Sequence, residues 1–273
     1  MILVKRKSYD GLLGINNKPS MFESEIHLLR KLYYAIYQKK FRNGRCDKIL
    51  KVVVFDLGGT LMQYVGMPHS WEDFYFKGFE EIIRKFRYPI SQEIVEKSFQ
   101  MLKEFNPRIN YREVEYSAEY IFAKILEQWH MDIPVQSCIE TFWSGLQLNA
   151  VIYPETINVL QKLKEKGYTI AALTDLPSAM PDDMFRRDIS ELLGYFDYYV
   201  SSTVAGYRKP NCKGLQMISE RFSFPITKLI FIGDEEKDRK TAINANCKFI
   251  WIQRTEKNEE SIGNLYELLR VLK

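Results

Sequence analysis

The apolar run Val52, Val53, Val54, Phe55 ends on Asp56 and is followed at once by Gly58, Gly59 and Thr60. A β-branched run without polar alternation, bounded by glycines, reads as a strand covered on both faces, as in a parallel sheet. A carboxylate at the C-terminal end of such a strand stands in the crevice where open α/β sheets bind ligands. The glycine turn after it lets backbone N–H groups come close to an anion. An aspartate presented in this way can serve as a nucleophile, a metal ligand, or both. Taken alone, the segment also fits a strand-ending Asp that caps a loop.

Three segments downstream decide between these readings. Tyr168–Leu173 is a second apolar strand, ending on Thr174 and Asp175. Gly206, Tyr207, Arg208, Lys209 and Pro210 form a loop whose proline disfavours helix. Leu229–Ile232 is a third apolar strand that ends at Gly233 and Asp234, with Asp238 four residues on. In this order, FDLGGTL, LTD, GYRKP and IFIGDEEKD resemble the four motifs of the haloacid dehalogenase-like hydrolase superfamily. The resemblance covers about residues 48–255.

That resemblance implies roles for individual residues. Asp56 stands where the family's nucleophile attacks phosphorus to form an aspartyl-phosphate. Asp56 and Asp234, with the backbone carbonyl of Gly58, would hold a hard cation through oxygen, which favours Mg²⁺. Thr174 would donate a hydrogen bond to the phosphoryl oxygens, and Lys209 would offset negative charge on the nucleophile and the transferring group. Gly59, Thr60 and Asp175 are expected to line the substrate's phosphate. Asp238 is expected to orient the metal shell or Lys209. Glu235, Glu236 and Lys237 are expected to form a solvated turn.

Position 58 departs from the family pattern. Phosphatases of the family usually carry a second aspartate there, which protonates the leaving oxygen and later activates water. Gly58 can transfer no proton. Because general acid–base catalysis contributes roughly 10²–10⁴-fold, three readings follow: the substrate has a good leaving group, another carboxylate such as Asp175 substitutes, or turnover is lost. Asp175 itself replaces a neutral asparagine found in many members, which puts a negative charge beside the phosphate.

Between the first two motifs, Trp71–Phe86, Gln92–Phe105, Ser117–Trp129 and Val135–Leu146 each show helical spacing, punctuated by Pro89, Pro107 and Pro134. A helical insert in this place is where many family members carry a cap, and it is expected to hinge near Tyr64 and Ala150. Tyr64 or Trp71 is expected to face the site, and His69 to be a surface or hinge residue. After the insert the spacing predicts helices over Pro154–Lys166, Asp182–Leu193, Lys213–Arg221, Lys240–Asn246 and Glu259–Leu272, with strands at Tyr198–Ser201 and Phe249–Ile252. Alternating strands and helices indicate an α/β fold, a Rossmann-like doubly wound parallel sheet with an inserted all-helical cap. The expected domains are a basic N-terminal extension over 1–47, a catalytic core over 48–64 and 150–273, and the cap over 65–149.

Composition supports an ordinary globular enzyme: 46% of the 273 residues are hydrophobic and 14% aromatic. Cys46, Cys138, Cys212 and Cys247 show no paired spacing, and the three histidines are too few for a histidine metal cluster. With no long apolar stretch and no signal-peptide pattern, a cytoplasmic location is expected. Residues 1–51 hold 12 Lys/Arg against four Asp/Glu, a net of +8 in a chain of +4, which leaves −4 for the rest. Within this lead, Ser20 and Glu23 match a capping box, and Phe22, Ile26, Leu29, Tyr33 and Ile36 repeat at helical spacing. Such a helix packs on its own domain, or its basic residues touch an acidic partner, a membrane surface or nucleic acid; no nucleic-acid-binding motif is visible. The expected function is Mg²⁺-dependent phosphoryl transfer, a phosphatase for a small phosphorylated metabolite. Two alternatives stay open. One is a 2-haloacid dehalogenase-type hydrolase, which needs no general acid and in this family no metal. The other is an impaired binding or regulatory protein.

Overall fold

A computed structural model of the protein describes residues 51–272 apart from 88, 131–132 and 256–257. The basic lead over 1–47 and its expected amphipathic helix lie outside the described residues.

Strand β1 (Lys51–Phe55) is the centre of a parallel sheet, and its side chains are buried on both faces beyond Lys51. Val53 and Phe55 enter one hydrophobic cluster, and Val52 and Val54 enter the other. The absence of polar alternation in the sequence follows from this two-sided burial. The chain continues through β2 (Met62–Tyr64), helices α1 (Tyr75–Phe86), α2 (Gln92–Glu104), α3 (Ala118–Leu126) and α4 (Val135–Gly145), and then β3 (Ala150–Ile152). Next come α5 (Thr156–Glu165), β4 (Tyr168–Thr174), α6 (Asp182–Asp188), α7 (Ser190–Leu193), β5 (Tyr198–Ser201) and α8 (Ser202–Ala205). The chain ends with α9 (Lys213–Phe222), β6 (Ile230–Gly233), α10 (Glu236–Asn244), β7 (Lys248–Ile252), β8 (Ser261–Ile262) and α11 (Leu265–Val271). Strand order is β5-β4-β1-β6-β7-β8, with every pair parallel. The chain leaves β1 for β4 and β5 on one side and then crosses to β6 on the other. The C-terminal edge of β1 is therefore a topological switch point, where open α/β sheets form a ligand crevice.

The α1–α4 segment is inserted at a short antiparallel ribbon in which Met62, Gln63 and Tyr64 pair with Ile152, Val151 and Ala150. The ribbon is too short for its period-2 pattern to stand out in sequence, and no strand is expected from the sequence at either half of it. The insert packs around aromatic side chains: Phe142 lies 5.1 Å from Phe79 and 5.2 Å from Phe122, ring to ring, in edge-on geometry. The Ser91 and Ser117 side chains cap α2 and α3 by accepting from the backbone N–H of Ile94 and Tyr120.

Three expected boundaries move. Helix α10 begins at Glu236 and not at Lys240, so the expected solvated turn is the first turn of a helix: Glu236 is solvated as expected, whereas Glu235 is bound by Arg108. The cause of the early start is Asp238, whose Oδ2 accepts from the backbone N–H of Glu235 at 3.0 Å and caps the helix from within. The expected helix over Asp182–Leu193 breaks at Ile189 (φ −109°, ψ 18°) into α6 and α7. The last helix starts only after Asn264, whose side chain accepts from the N–H of Tyr266, because residues 261–262 join the sheet edge as β8.

Candidate active site

Strands β1, β4 and β6 are neighbours, so Asp56, Thr174 and Asp234 converge from three strand ends. The backbone N–H of Asp56 donates to the Ile232 carbonyl at 2.8 Å, which ties the residue after β1 to β6. Lys209 enters from the loop after α8. Its Nζ lies 2.6 Å from Asp56 Oδ1 and 2.5 Å from Asp238 Oδ1, and all three side chains are buried. Asp175 Oδ1 accepts from the Lys209 backbone N–H at 3.0 Å, and its Oδ2 lies 3.3 Å from Lys237 Nζ. Asp175 thus brackets the lysine loop against β4.

The turn after β1 is equally constrained. Gly59 has φ +77°, and a Cβ there would lie 2.0 Å from Asp234 Oδ2. At Gly233, a Cβ would meet the Asp238 Cβ at 2.6 Å. Only glycine allows these two backbones to approach the acids so closely. The buried Thr60 hydroxyl donates to Asp234 Oδ1 at 3.1 Å, so its side chain points to the second acid. Arg254, beyond β7, donates to the carbonyls of Gly59 (3.2 Å) and Thr60 (2.7 Å) and to Glu155 Oε1 (2.7 Å). Sequence reading missed Arg254, because nothing near it in the chain marks a residue that clamps a turn almost two hundred positions earlier.

Charge crowding perturbs these groups. Burial pushes the Asp56 carboxyl well above the usual range against the pull of Lys209, with Asp238 and Asp234 adding to the rise. Burial and the neighbouring Asp238 and Glu235 push Asp234 up to about 6. Burial works against the Lys209 ammonium, yet Asp238, Asp56 and Asp175 outweigh it and hold Lys209 above its ordinary value. Burial would raise Asp175 too, but Lys237, Arg208 and Lys209 keep it below the carboxylate range. An ionised, doubly engaged Asp175 is a poor proton donor. Oxygen atoms of Asp56, Asp234 and Asp238 all lie within 4.8 Å of one another, and this set could hold a metal ion.

Asp56, Thr174, Asp175, Lys209 and Asp234 floor a cavity of about 560 Å³ whose other wall comes from the insert and its base, including Tyr64, His69, Trp71 and Arg108. Tyr64 and Trp71 meet edge to face at 5.1 Å, and the Tyr64 hydroxyl donates to Asp188 Oδ2 at 2.7 Å. Arg108 grips Glu235 with both terminal nitrogens, Nη2 to Oε1 at 2.5 Å and Nη1 to Oε2 at 3.1 Å. Its Nη1 also lies 2.5 Å from His69 Nε2. Sequence reading assigned no role to Arg108; an arginine after a proline at a helix end carries no mark of the cavity it faces. Gly58 lines the same cavity, and a Cβ there would meet nothing within 4 Å.

The family model for haloacid dehalogenase-like hydrolases matches residues 50–246, and the chain belongs to that hydrolase family. Among curated relatives it is similar to the phosphoglycolate phosphatase of Vibrio vulnificus (strain CMCP6), 24% identical over 208 residues, which cover 72% of this chain and 81% of the relative. The phosphoglycolate phosphatase of Vibrio cholerae serotype O1 is 22% identical over 236 residues, 80% and 90% of the two chains. Among solved structures, a 2-haloacid dehalogenase from Pseudomonas syringae pv. Tomato DC3000 aligns with a TM-score of 0.57 at 20% identity, over 82% of this chain and 98% of that one. A HAD phosphatase from Thermococcus onnurineus aligns with a TM-score of 0.55 at 21% identity, again over 82% and 98%. The two structures carry different activities at nearly equal likeness. Fold similarity therefore does not choose between them, and the site must.

Proposed function

We propose that the protein is a Mg²⁺-dependent phosphatase for a small phosphorylated metabolite, working through an aspartyl-phosphate on Asp56. The observation that carries this reading is the carboxylate cluster at the strand ends. Oxygen atoms of Asp56, Asp234 and Asp238 lie within 4.8 Å of one another, and the Lys209 ammonium in contact with Asp56 and Asp238 offsets one of their three formal negative charges. An all-oxygen donor set with that deficit suits a hard divalent cation such as Mg²⁺, held by Asp56, Asp234 and the Gly58 carbonyl. When bound, the ion supplies charge stabilisation for the phosphoryl oxygens. A dehalogenase of this family needs no such ion, so the clustering of Asp56, Asp234 and Asp238 argues against that alternative. The phosphoglycolate phosphatases among the relatives agree with a small phosphorylated substrate.

In this reading an Asp56 oxygen attacks phosphorus while the bond to the leaving oxygen breaks, and water then cleaves the acyl phosphate to restore Asp56 and release phosphate. Lys209 holds the nucleophile in place and offsets its charge. Thr174, at the end of β4, donates to the phosphoryl group. Asp175 acts on the substrate indirectly, by fixing the Lys209 loop, and Thr60 acts through Asp234. Asp238 positions Lys209 from the first turn of α10. The insert over 65–149 serves as a cap on hinges at Tyr64 and Ala150, where the β2–β3 ribbon joins it to the core, and screens the site from bulk solvent while the hydrolytic water is admitted. The free Cys138, Cys212 and Cys247 accord with a reducing cytoplasm.

The test is hydrolysis of acetyl phosphate and of an aryl phosphate with Mg²⁺ and with EDTA, for the wild type and for Asp56→Asn. Mg²⁺-dependent turnover that Asp56→Asn abolishes supports the reading. Metal-independent release of halide from a 2-haloacid, with neither phosphate cleaved, overturns it.

A further inference from the structure

Arg108 differs from the other guanidinium groups on the cavity wall. Arg208 is tied to the buried Glu115 and donates to the Leu176 carbonyl at 2.7 Å. Arg112 lies 3.0 Å from Glu115 Oε1 and donates to the Phe105 carbonyl at 3.0 Å. Turning toward a ligand, Arg208 would strip the Leu176 carbonyl of its donor, and Arg112 would give up its bonds to Phe105, Val114 and Glu115 together. Arg108 has no such anchor. Its partner Glu235 also lies 3.3 Å from Lys237 Nζ, so Glu235 keeps a counter-ion when Arg108 leaves it. The Arg108 side chain is 27% exposed, and it reaches from the insert toward the acids of the core.

The backbone of Arg108 is fixed. Its N–H donates to Asn106 Oδ1 at 3.0 Å, and the buried Asn106 amide donates to the Ser70 carbonyl at 2.6 Å and to the Tyr75 hydroxyl at 2.8 Å. His69 Nε2 supports the guanidinium on a second side. The head group is thus aimed at the cavity by a rigid mount and is held there by a carboxylate that can be exchanged. A planar fork that already grips one carboxylate with two nitrogens is matched to another of the same shape.

We propose that Arg108 is the specificity-determining residue, selecting phosphorylated metabolites whose leaving group carries a carboxylate, and that Glu235 occupies its fork until such a substrate enters. This rests on the phosphatase reading above. The exchange is carboxylate for carboxylate, and Glu235 retains Lys237, which it shares with Asp175. A purely structural latch between insert and core would instead serve every substrate equally.

The experiment compares wild type, Arg108→Gln and Arg108→Lys on a phosphorylated 2-hydroxy acid and on p-nitrophenyl phosphate, which has no carboxylate. Calorimetric binding of phosphonoacetate and of methylphosphonate with Mg²⁺ present gives a readout free of turnover. The expected result for Arg108→Gln is a KM for the phosphorylated acid raised about 10- to 100-fold, the range of a charged hydrogen-bonded pair, with p-nitrophenyl phosphate changed less than about threefold. Phosphonoacetate should weaken by the same factor and methylphosphonate should not. Arg108→Lys should fall between, because it keeps the charge and loses the fork. Equal loss on both substrates, or none on either, overturns the proposal while leaving the phosphatase reading intact. Absence of Mg²⁺-dependent turnover in the wild type on any phosphate, with selective phosphonoacetate binding lost in Arg108→Gln, would sink the phosphatase reading and keep the carboxylate site.

Discussion

A Cβ on Gly59 would lie 2.0 Å from Oδ2 of Asp234, so the turn after β1 and the acid after β6 compete for one space. Gly59→Ala must therefore displace Asp234 and also hold an L side chain at φ +77°. A loss of about 1–3 kcal/mol of stability is expected from the strain, together with weaker Mg²⁺ binding by calorimetry. Gly58→Ala is the control: its Cβ meets nothing within 4 Å, and it should leave stability nearly unchanged. Equal behaviour of the two variants would show that the turn adapts.

Lys209 holds two buried acids at once, Asp56 and Asp238. Lys209→Met keeps the length of the side chain and removes the ammonium. Urea unfolding in EDTA should show a loss of about 3–5 kcal/mol, typical of a broken buried ion pair. Added Mg²⁺ should recover part of it through Asp56, and phosphatase activity should be lost regardless. A variant as stable as wild type in EDTA would mean that protonation of Asp56 relieves the charge without the lysine.

The open space at position 58 makes the missing proton donor testable. Gly58→Asp places a carboxyl in the cavity without a steric clash. Hydrolysis of an alkyl phosphate should rise by some part of the roughly 10²–10⁴-fold that general acid catalysis supplies, while an aryl phosphate with a good leaving group should change little. If the wild type already cleaves alkyl and aryl phosphates at similar rates, a different residue is the acid. Asp175 is a poor candidate for it, because Lys237, Arg208 and Lys209 keep it ionised against the effect of burial.

Acid should loosen the turn clamp. Burial would raise the Glu155 carboxyl, but the Arg254 guanidinium outweighs burial and holds it below the usual value of 4.5. A carboxyl depressed by folding adds stability that is complete above its unfolded value and fades as pH falls through the folded one. The urea midpoint of wild type should therefore drop more steeply below about pH 4.5 than that of Glu155→Gln. Parallel curves for the two proteins would rule out a contribution from this pair.

Residues 51–62, 168–175, 206–210 and 229–238 were legible in the sequence because each is a buried strand end or a loop whose composition is dictated locally. A strand covered on both faces must be continuously apolar, and its terminal acid has few other uses. The helical insert was legible for the same kind of reason, since helical spacing is a short-range pattern. The boundaries that moved depend on a second element. Helix α10 starts early because Asp238 turns back to cap it, and residues 261–262 become a strand only because β7 offers an edge. Which acids share a lysine, which arginine clamps the turn and which faces the cavity were decided by tertiary structure alone. Contacts such as Arg254 with Gly59 and Thr60, or Arg108 with Glu235, join residues that are distant in the chain. Sequence supplied the charged groups, and chain crossing at the β1 switch point decided which of them meet.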